Sequence, residues 1–520
     1  MPVGTVATNR SGPSQALPGA GWALALLLGI NLFNYIDRQI LSATLPKIRL
    51  DTSIMRPDDT WANTKLGALT TAFMVAYMCL SPLFGRLSDK MSRWILVGVG
   101  VILWSLATGG TGLATGYLIL FFTRCLVGVG EAAYGPVAPA MLSDLYPVDH
   151  RGRVMAWFYM AIPVGSALGF VIGSQVAEIM NWRWAFLVAV FPGLVLGVIC
   201  FFMKEPPRVN DAPPTSLPAG SRVGRPSYFS VLRELKGIRS FVLCCAGMTA
   251  STFVLGGVAT VMQLYIFELE ARFTLNDKAI ASLEEIKTSD GQQAIPNDVL
   301  NKLRVVASPD VRTLPEFKAS LLSTLSESEY KLYSSWIFDN APAQGSLTNG
   351  KIGLFLGAIV VVSGLVATLL GGMLGDYLRN RGVRGAYFHV SGWGMVVAFP
   401  FFLGMLFAPF PLAWGLLFIA VFFLFFNTGP MNTVLANVTR AEIRTTAFAI
   451  NIFIIHALGD AISPFIIGFV GDLSTLHAAF VGVSLLIPLS GALWIWGAKY
   501  LDADTAKAEG AVSAAPTATP

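Results

Sequence analysis

The chain has 520 residues, of which 54% are hydrophobic and only 13% charged, with a formal net charge of +5. Soluble proteins carry roughly 25% charged residues, so this composition excludes a soluble surface of this size. Nothing in the charge distribution reads as a nucleic-acid patch. The five cysteines (Cys79, Cys125, Cys200, Cys244 and Cys245) fall inside hydrophobic segments with no metal or disulfide spacing.

Long uncharged runs carry the architecture. Trp184–Met203, Ser240–Phe267 and Ile352–Gly375 hold no Asp, Glu, Lys or Arg, and Gly385–Thr439 runs 55 residues without one. Roughly 20 apolar residues cross a bilayer as a helix. Twelve spans are predicted, at 21–44, 66–85, 94–114, 116–141, 153–177, 183–203, 241–267, 352–373, 386–408, 411–435, 445–470 and 477–500. The expected organisation is a disordered cytoplasmic segment at 1–20 and a six-helix bundle at 21–203. A cytoplasmic linker at 204–240 joins it to a second bundle at 241–500, which is interrupted by an extracytoplasmic insertion at 268–351. A disordered cytoplasmic tail is expected at 501–520. The insertion holds twelve acids against nine bases, with apolar residues at helical spacing around Val299–Leu303 and Leu321–Tyr333, and is expected to be partly helical.

Orientation follows from the basic residues. With both termini inside, the inner segments hold 20 Lys and Arg, against five in the short outer loops: Lys47, Arg49, Arg56, Lys65 and Arg183. The excess of bases on cytoplasmic loops predicts cytoplasmic termini, in a cell membrane expected to be a bacterial inner membrane. A monomer surrounded by membrane lipids is expected.

The chain repeats itself. Gly85-Arg86-Leu87-Ser88-Asp89 follows the second span and Gly372-Met373-Leu374-Gly375-Asp376 follows the eighth, each trailed by basic residues. Gly135-Pro136 with Arg151 is echoed by Gly429-Pro430 with Arg444. The halves therefore read as parallel copies, as in several transporter folds. Gly85, Asp89, Arg93 and Asp376 are candidates for a conformational latch, because a carboxylate among bases can bind a neighbouring helix terminus.

Charges inside spans are the candidate chemistry. Asn34 and Asp37 lie three apart in the first span, while Arg124, Gly128 and Glu131 lie at i, i+4 and i+7 in the fourth. A charge at mid-bilayer costs at least ~2.5–3.5 kcal/mol on insertion scales, so these groups should face an internal cavity and pair. Asp37 is the leading candidate proton carrier and Glu131 the second. Arg124 is their expected cationic partner, or a ligand for an anionic substrate group. Arg38 either lines the cavity or snorkels outward. His456, Asp460 and Ser463 form a polar stripe in the eleventh span; His456 either contacts substrate, exchanges protons or is structural. Asn427 and Tyr159 are further candidate substrate contacts, and Gly165, Gly169 and Gly173 are expected to serve close helix packing. No enzyme constellation, phosphate loop or metal spacing appears, so neither cofactor nor bound metal is expected.

The two loop segments resemble the signature of the major facilitator superfamily, and Arg124-Cys125-Leu126-Val127-Gly128-Val129-Gly130-Glu131-Ala132 matches its Arg-x-x-x-Gly-x-Gly-x-Ala pattern. Together with Asn34-Tyr35-Ile36-Asp37-Arg38 it resembles the spinster family most closely. The resemblance implies an all-α membrane fold of two pseudo-symmetric six-helix bundles. It further implies proton-linked transport of lysolipids or sphingoid phosphates, with Asp37, Arg38, Arg124 and Glu131 in the central cavity. Organic-anion and drug transporters, and a transporter-like sensor, are the alternative functions. Ser92 departs from the signature, which has glycine there, and the 268–351 insertion lies outside a minimal facilitator.

Overall fold

A computed structural model describes residues 17–88, 90–205, 228–287, 293–440 and 443–513. Among the described residues, twelve helices are long and apolar enough to cross a membrane: Ala20–Leu50, Ala62–Leu87, Arg93–Gly112, Tyr117–Leu145, Arg153–Ile179, Trp182–Cys200, Arg239–Glu270, Asn349–Asn380, Ala386–Phe407, Leu412–Val438, Thr446–Leu473 and Leu476–Ala508. They are called spans one to twelve below. They form two six-helix bundles, and the packing partners repeat between the bundles. Span one lies on spans five and six, span three on spans four and six, and span two on span four. Their counterparts pair likewise: seven with eleven and twelve, nine with ten and twelve, eight with ten. Spans four and ten even break at matching points, near Gly135-Pro136 and near Asn427 just before Gly429-Pro430. Proline there removes a backbone donor and disfavours an unbroken helix.

Small residues let the helices approach. A Cβ built on Gly165, Gly169 or Gly173 would lie 2.6, 2.5 or 2.9 Å from atoms of Leu32, Ile36 or Ala43, so this stripe seats span five on span one. Span eight repeats the device toward the other bundle, with Gly353 and Gly357 against Ser174 and Ala167 of span five.

The bundles meet along spans two and eleven, five and eight, and one and seven. One face of the molecule carries the insertion and the opposite face carries both ends of the spanning region. On the insertion side the contacts are polar and close. The Gln263 amide donates to the Ala43 carbonyl at 3.0 Å and to Asn349 Oδ1 at 2.9 Å, and Asn349 donates to Ala43 at 3.1 Å.

The insertion is a small domain of its own. Strand β1 (Arg272–Leu275) pairs antiparallel with β2 (Ser308–Thr313). Helices Asp277–Glu284, Asn297–Val305, Leu314–Thr324 and Glu327–Asn340 pack around them. Phe273, Phe317 and Phe338 form its centre, with ring centroids 5.1–5.5 Å apart. The helical pattern at Leu321–Tyr333 resolves into two helices, because Ser326 and Glu329 form a capping box that starts a new one. The domain rests on the other bundle through Lys47–Asp339, Thr52 Oγ1 to the Lys331 carbonyl at 2.7 Å, and Lys318 Nζ to the Pro57 carbonyl at 2.6 Å.

One expectation needs correction. The tail from 501 is not irregular at its start: the last helix runs on to Ser513, because Asp502–Gly510 is rich in Ala and charged helix formers and contains no proline. The linker region also contains a helix, Tyr228–Gly237, which buries Val231 and Leu235 and pairs Glu234 with Arg440 at 2.7 Å. The Pro- and Gly-rich run ahead of it masks this short amphipathic segment.

Gly169→Val should lower stability by about 1–3 kcal/mol through overpacking against span one. Gly415→Ala, where a Cβ meets open space, should be neutral or stabilising. Thermal unfolding of the purified variants in one detergent checks both.

Candidate functional site

The first span turns successive polar residues toward different neighbours. Asn34 and Asp37 share a buried face, and Asp37 Oδ2 accepts a 2.5 Å hydrogen bond from Thr108 Oγ1 of span three. Asp37 Oδ1 is buried with no hydrogen-bond partner among the described residues. Arg38, one residue on, points to span four. Its Nε and Nη2 donate to Glu131 Oε2 at 2.8 and 2.7 Å. Its guanidinium also lies 5.0, 4.9 and 5.2 Å from the ring centres of Tyr35, Phe73 and Tyr77, an aromatic cage for the cation.

Arg124 is fully enclosed. Its Nε and Nη2 donate to Thr111 Oγ1 at 3.2 and 2.8 Å, and Phe186 lies 5.3 Å from the guanidinium carbon. The expected pairing is therefore corrected. Arg38, not Arg124, forms the ion pair with Glu131, and Asp37 forms no ion pair with either arginine. Helix spacing places residues on a face, but which neighbouring span each face meets depends on packing. Arg38 does not snorkel; it reaches the cavity, where spans one, two and four converge.

The cavity has a volume of about 150 Å³ and lies between the bundles. Arg38, Arg124, Tyr35 and Phe73 line one wall; Gly256, Thr260 and Asp460 line the other. Asp460 is held by His456, whose Nδ1 stands 2.9 Å from Asp460 Oδ1. This pair sits in a π-helical turn, His456–Asp460, with a kink at Gly459. Such turns often mark functional sites. The Ala461 carbonyl just beyond the kink accepts a 2.7 Å hydrogen bond from Thr71 Oγ1 of span two, across the interface.

The remaining candidates are placed as follows. Asn34 lies beside Glu131. Tyr159 is half exposed, packs on Phe158 at 5.3 Å and stands near Tyr35 and Tyr77, which puts it by the caged arginine but not among the residues that line the cavity. Asn427 is not at the cavity: its amide donates to the Leu424 carbonyl at 2.5 Å and reaches Ser251 at 3.5 Å, which covers the break in span ten. Of the latch candidates, Asp89 lies outside the described residues. Gly85 faces Pro136, and Arg93 pairs with Asp144 at 2.6 Å and Glu205 at 3.2 Å. Asp376 accepts from the Tyr387 hydroxyl at 2.8 Å. Among the described residues, those contacts stay within one bundle or its adjoining linker. Ser92, in place of glycine, donates to Glu205 at 2.7 Å. Burial alone would raise the Glu205 carboxyl, but hydrogen bonds from Ser92 and Arg93 hold it below its ordinary range. Thr108 and Thr111, three apart in an apolar span, are site residues that sequence reasoning missed; their spacing was the available signal.

Residues 27–282 match the family model of the Major Facilitator Superfamily. Protein spinster homolog 3 of Danio rerio is 30% identical over 457 residues, covering 86% of this chain and 76% of that protein. The chain belongs to the spinster family. Protein spinster homolog 1 of Homo sapiens is 29% identical over 517 residues, 94% of this chain and 82% of that protein. The fold is shared with a solved bacterial homolog of the human lysosomal transporter spinster, in an inward-facing, occupied conformation. Its TM-score is 0.66 at 16% identity, covering 94% and 99% of the two chains. A D-xylose-proton symporter gives a TM-score of 0.58 at 16% identity, covering 91% and 96%. Spinster-family membership makes this a facilitator-type transporter with multiple membrane passes.

Arg38→Ala or Glu131→Ala alone should cost about 3–5 kcal/mol, because each leaves a buried charge unpaired. The double variant Arg38→Met with Glu131→Leu should recover most of that loss. Thermal unfolding of the three variants beside the parent reads the difference.

Proposed function

We propose that the chain is a proton-coupled secondary transporter. It moves an amphipathic anionic lipid, of lysophospholipid or sphingosine-1-phosphate type, by alternating access. The observation that carries this reading is the meeting, in one cavity between the bundles, of two arginines and an aromatic wall, with an unpaired carboxyl, Asp37, hydrogen-bonded close behind. A guanidinium suits a phosphate or carboxylate head group, and the rings suit an apolar chain.

The arrangement also supplies a coupling logic. Glu131 is held by Arg38, whereas Asp37 has one oxygen bound by a hydroxyl and the other free to take a proton. An anionic head group that engages Arg38 draws it from Glu131, and a carboxylate stripped of its buried partner is relieved by protonation. Substrate and proton then occupy the site together or in turn. Asp37 is the leading proton carrier, Glu131 the second, and Asp460, held by His456, lines the cavity opposite Arg38 and Arg124. The excess of bases supports cytoplasmic termini, an orientation that makes the closed insertion side the outer one in a cell membrane.

Sealed liposomes with an imposed pH gradient test the reading. Labelled lysophospholipid or sphingosine-1-phosphate should move with the gradient, and Asp37→Asn should abolish the pH-driven component while leaving the protein folded. Competition by small soluble anions instead of lipids would point to an organic-anion or drug transporter. Binding without flux of any of them would point to a sensor.

A further inference from the structure

The insertion-side closure contains two contacts of one design. Asp472, at the end of span eleven, accepts from the backbone N–H of Asn63 at 3.0 Å and of Thr64 at 2.7 Å, and from Thr64 Oγ1 at 2.7 Å. Those N–H groups belong to the first turn of span two, Ala62–Leu87, where no partner exists within the helix. Glu178, at the end of span five, accepts from the backbone N–H of Gly350 in the first turn of span eight, Asn349–Asn380. The neighbouring Gln175 amide donates to the Gly350 carbonyl at 3.1 Å.

Spans five and eleven are equivalent in the internal repeat, as are spans two and eight. Each contact therefore runs from the last turn of one bundle to the first turn of the other, once in each direction. The positive end of a helix attracts a carboxylate, and a charge-assisted bond to a backbone N–H is among the stronger hydrogen bonds. Glycines at both sites permit the approach. A Cβ on Gly468 would lie 2.2 Å from the Asn63 carbonyl oxygen, and one on Gly350 would lie 2.7 Å from Glu178 Oε2. Trp61 stacks on Phe469 at 5.7 Å beside the first contact.

We propose that Glu178 and Asp472 are the paired gating residues of the insertion side, two latches that must both release for that face to open. They are positioning residues, since neither lines the cavity. The idea goes beyond the transport reading and needs no assumption about the substrate.

The test uses the full chain in lipid nanodiscs, with spin labels at Leu118→Cys and Leu412→Cys, the exposed starts of spans four and ten on this face, and with Cys79 and Cys125 replaced by serine. Pulsed electron–electron resonance then reads the distance between bundles. Asp472→Ala and Glu178→Ala should each shift part of the population to longer distances, and the double variant should shift more. Asp59→Asn, which removes a charge from the same region but contacts only Lys65 and Trp61 of its own bundle, should leave the distribution unchanged. Asp472→Asn and Glu178→Gln, which keep an accepting oxygen and remove the charge, should lie between parent and alanine. Should an alanine variant fail to stay monodisperse, the amide variants alone decide the question. A parent-like distribution in every folded single and double variant, or an equal shift in Asp59→Asn, would overturn the proposal.

Discussion

Burying charge in a membrane-spanning bundle is the constraint on which the rest of this structure depends. An unpaired buried ion is expensive, and the first bundle holds four ionisable groups within it. Arg38 and Glu131 answer with an ion pair enclosed by three rings, Arg124 with the Thr111 hydroxyl, and Asp37 with Thr108. The first solution draws on spans two and four and the other two on span three, so spans one to four are held in register by their polar contents as well as by shape. The glycines at 128 and 130 of span four follow from this. A Cβ on Gly128 would meet the Phe73 carbonyl at 2.3 Å, and one on Gly130 the Trp104 backbone nitrogen at 2.6 Å. Glu131 reaches Arg38 in a bundle where span four packs tightly on both spans two and three.

The second bundle solves the same problem with less charge. Its cavity wall offers Asp460 paired with His456, and the helix there departs from α geometry. The backbone carbonyl beyond the kink is satisfied by Thr71 of the opposite bundle. The irregular turn is thus supported from across the interface. A change in bundle spacing at this depth acts directly on the turn that carries the pair, which links the cavity wall to the rocking of the bundles.

The twelve spans, the internal repeat and the intramembrane charges were legible in the sequence because each is a local or periodic property. The all-α fold followed from the lengths of the uncharged runs. Partner choice was not legible. Adjacent residues Asp37 and Arg38 diverge by about 100° around a helix of 3.6 residues per turn, so one meets Thr108 of span three and the other Glu131 of span four. Only the packing order of the spans decides that, and no spacing within span one encodes it. Asn427 looked like a cavity residue because it is polar in an apolar run, yet its amide is consumed at the break of its own span. Asp472 and Glu178 gave no signal at all, being single acids at span ends, where acids are common.

The contacts divide by side in a way that bears on how the molecule moves. On the face of the chain ends, Arg93 and Asp376 bind within their own bundles or the adjoining linker. On the insertion face, Asp472, Glu178 and the Gln263–Asn349 cluster all bind across the interface. The insertion adds to this asymmetry: it is continuous with the second bundle, yet Lys47, Thr52 and Pro57 of the first bundle hold it. A rigid rotation that opens this face therefore separates the insertion from residues 47–57 while leaving its own aromatic core intact. The domain travels with spans seven and eight, and its contacts with the first bundle add to what must be broken on one face only. Opening the opposite face breaks none of them, which favours the state closed on the insertion side.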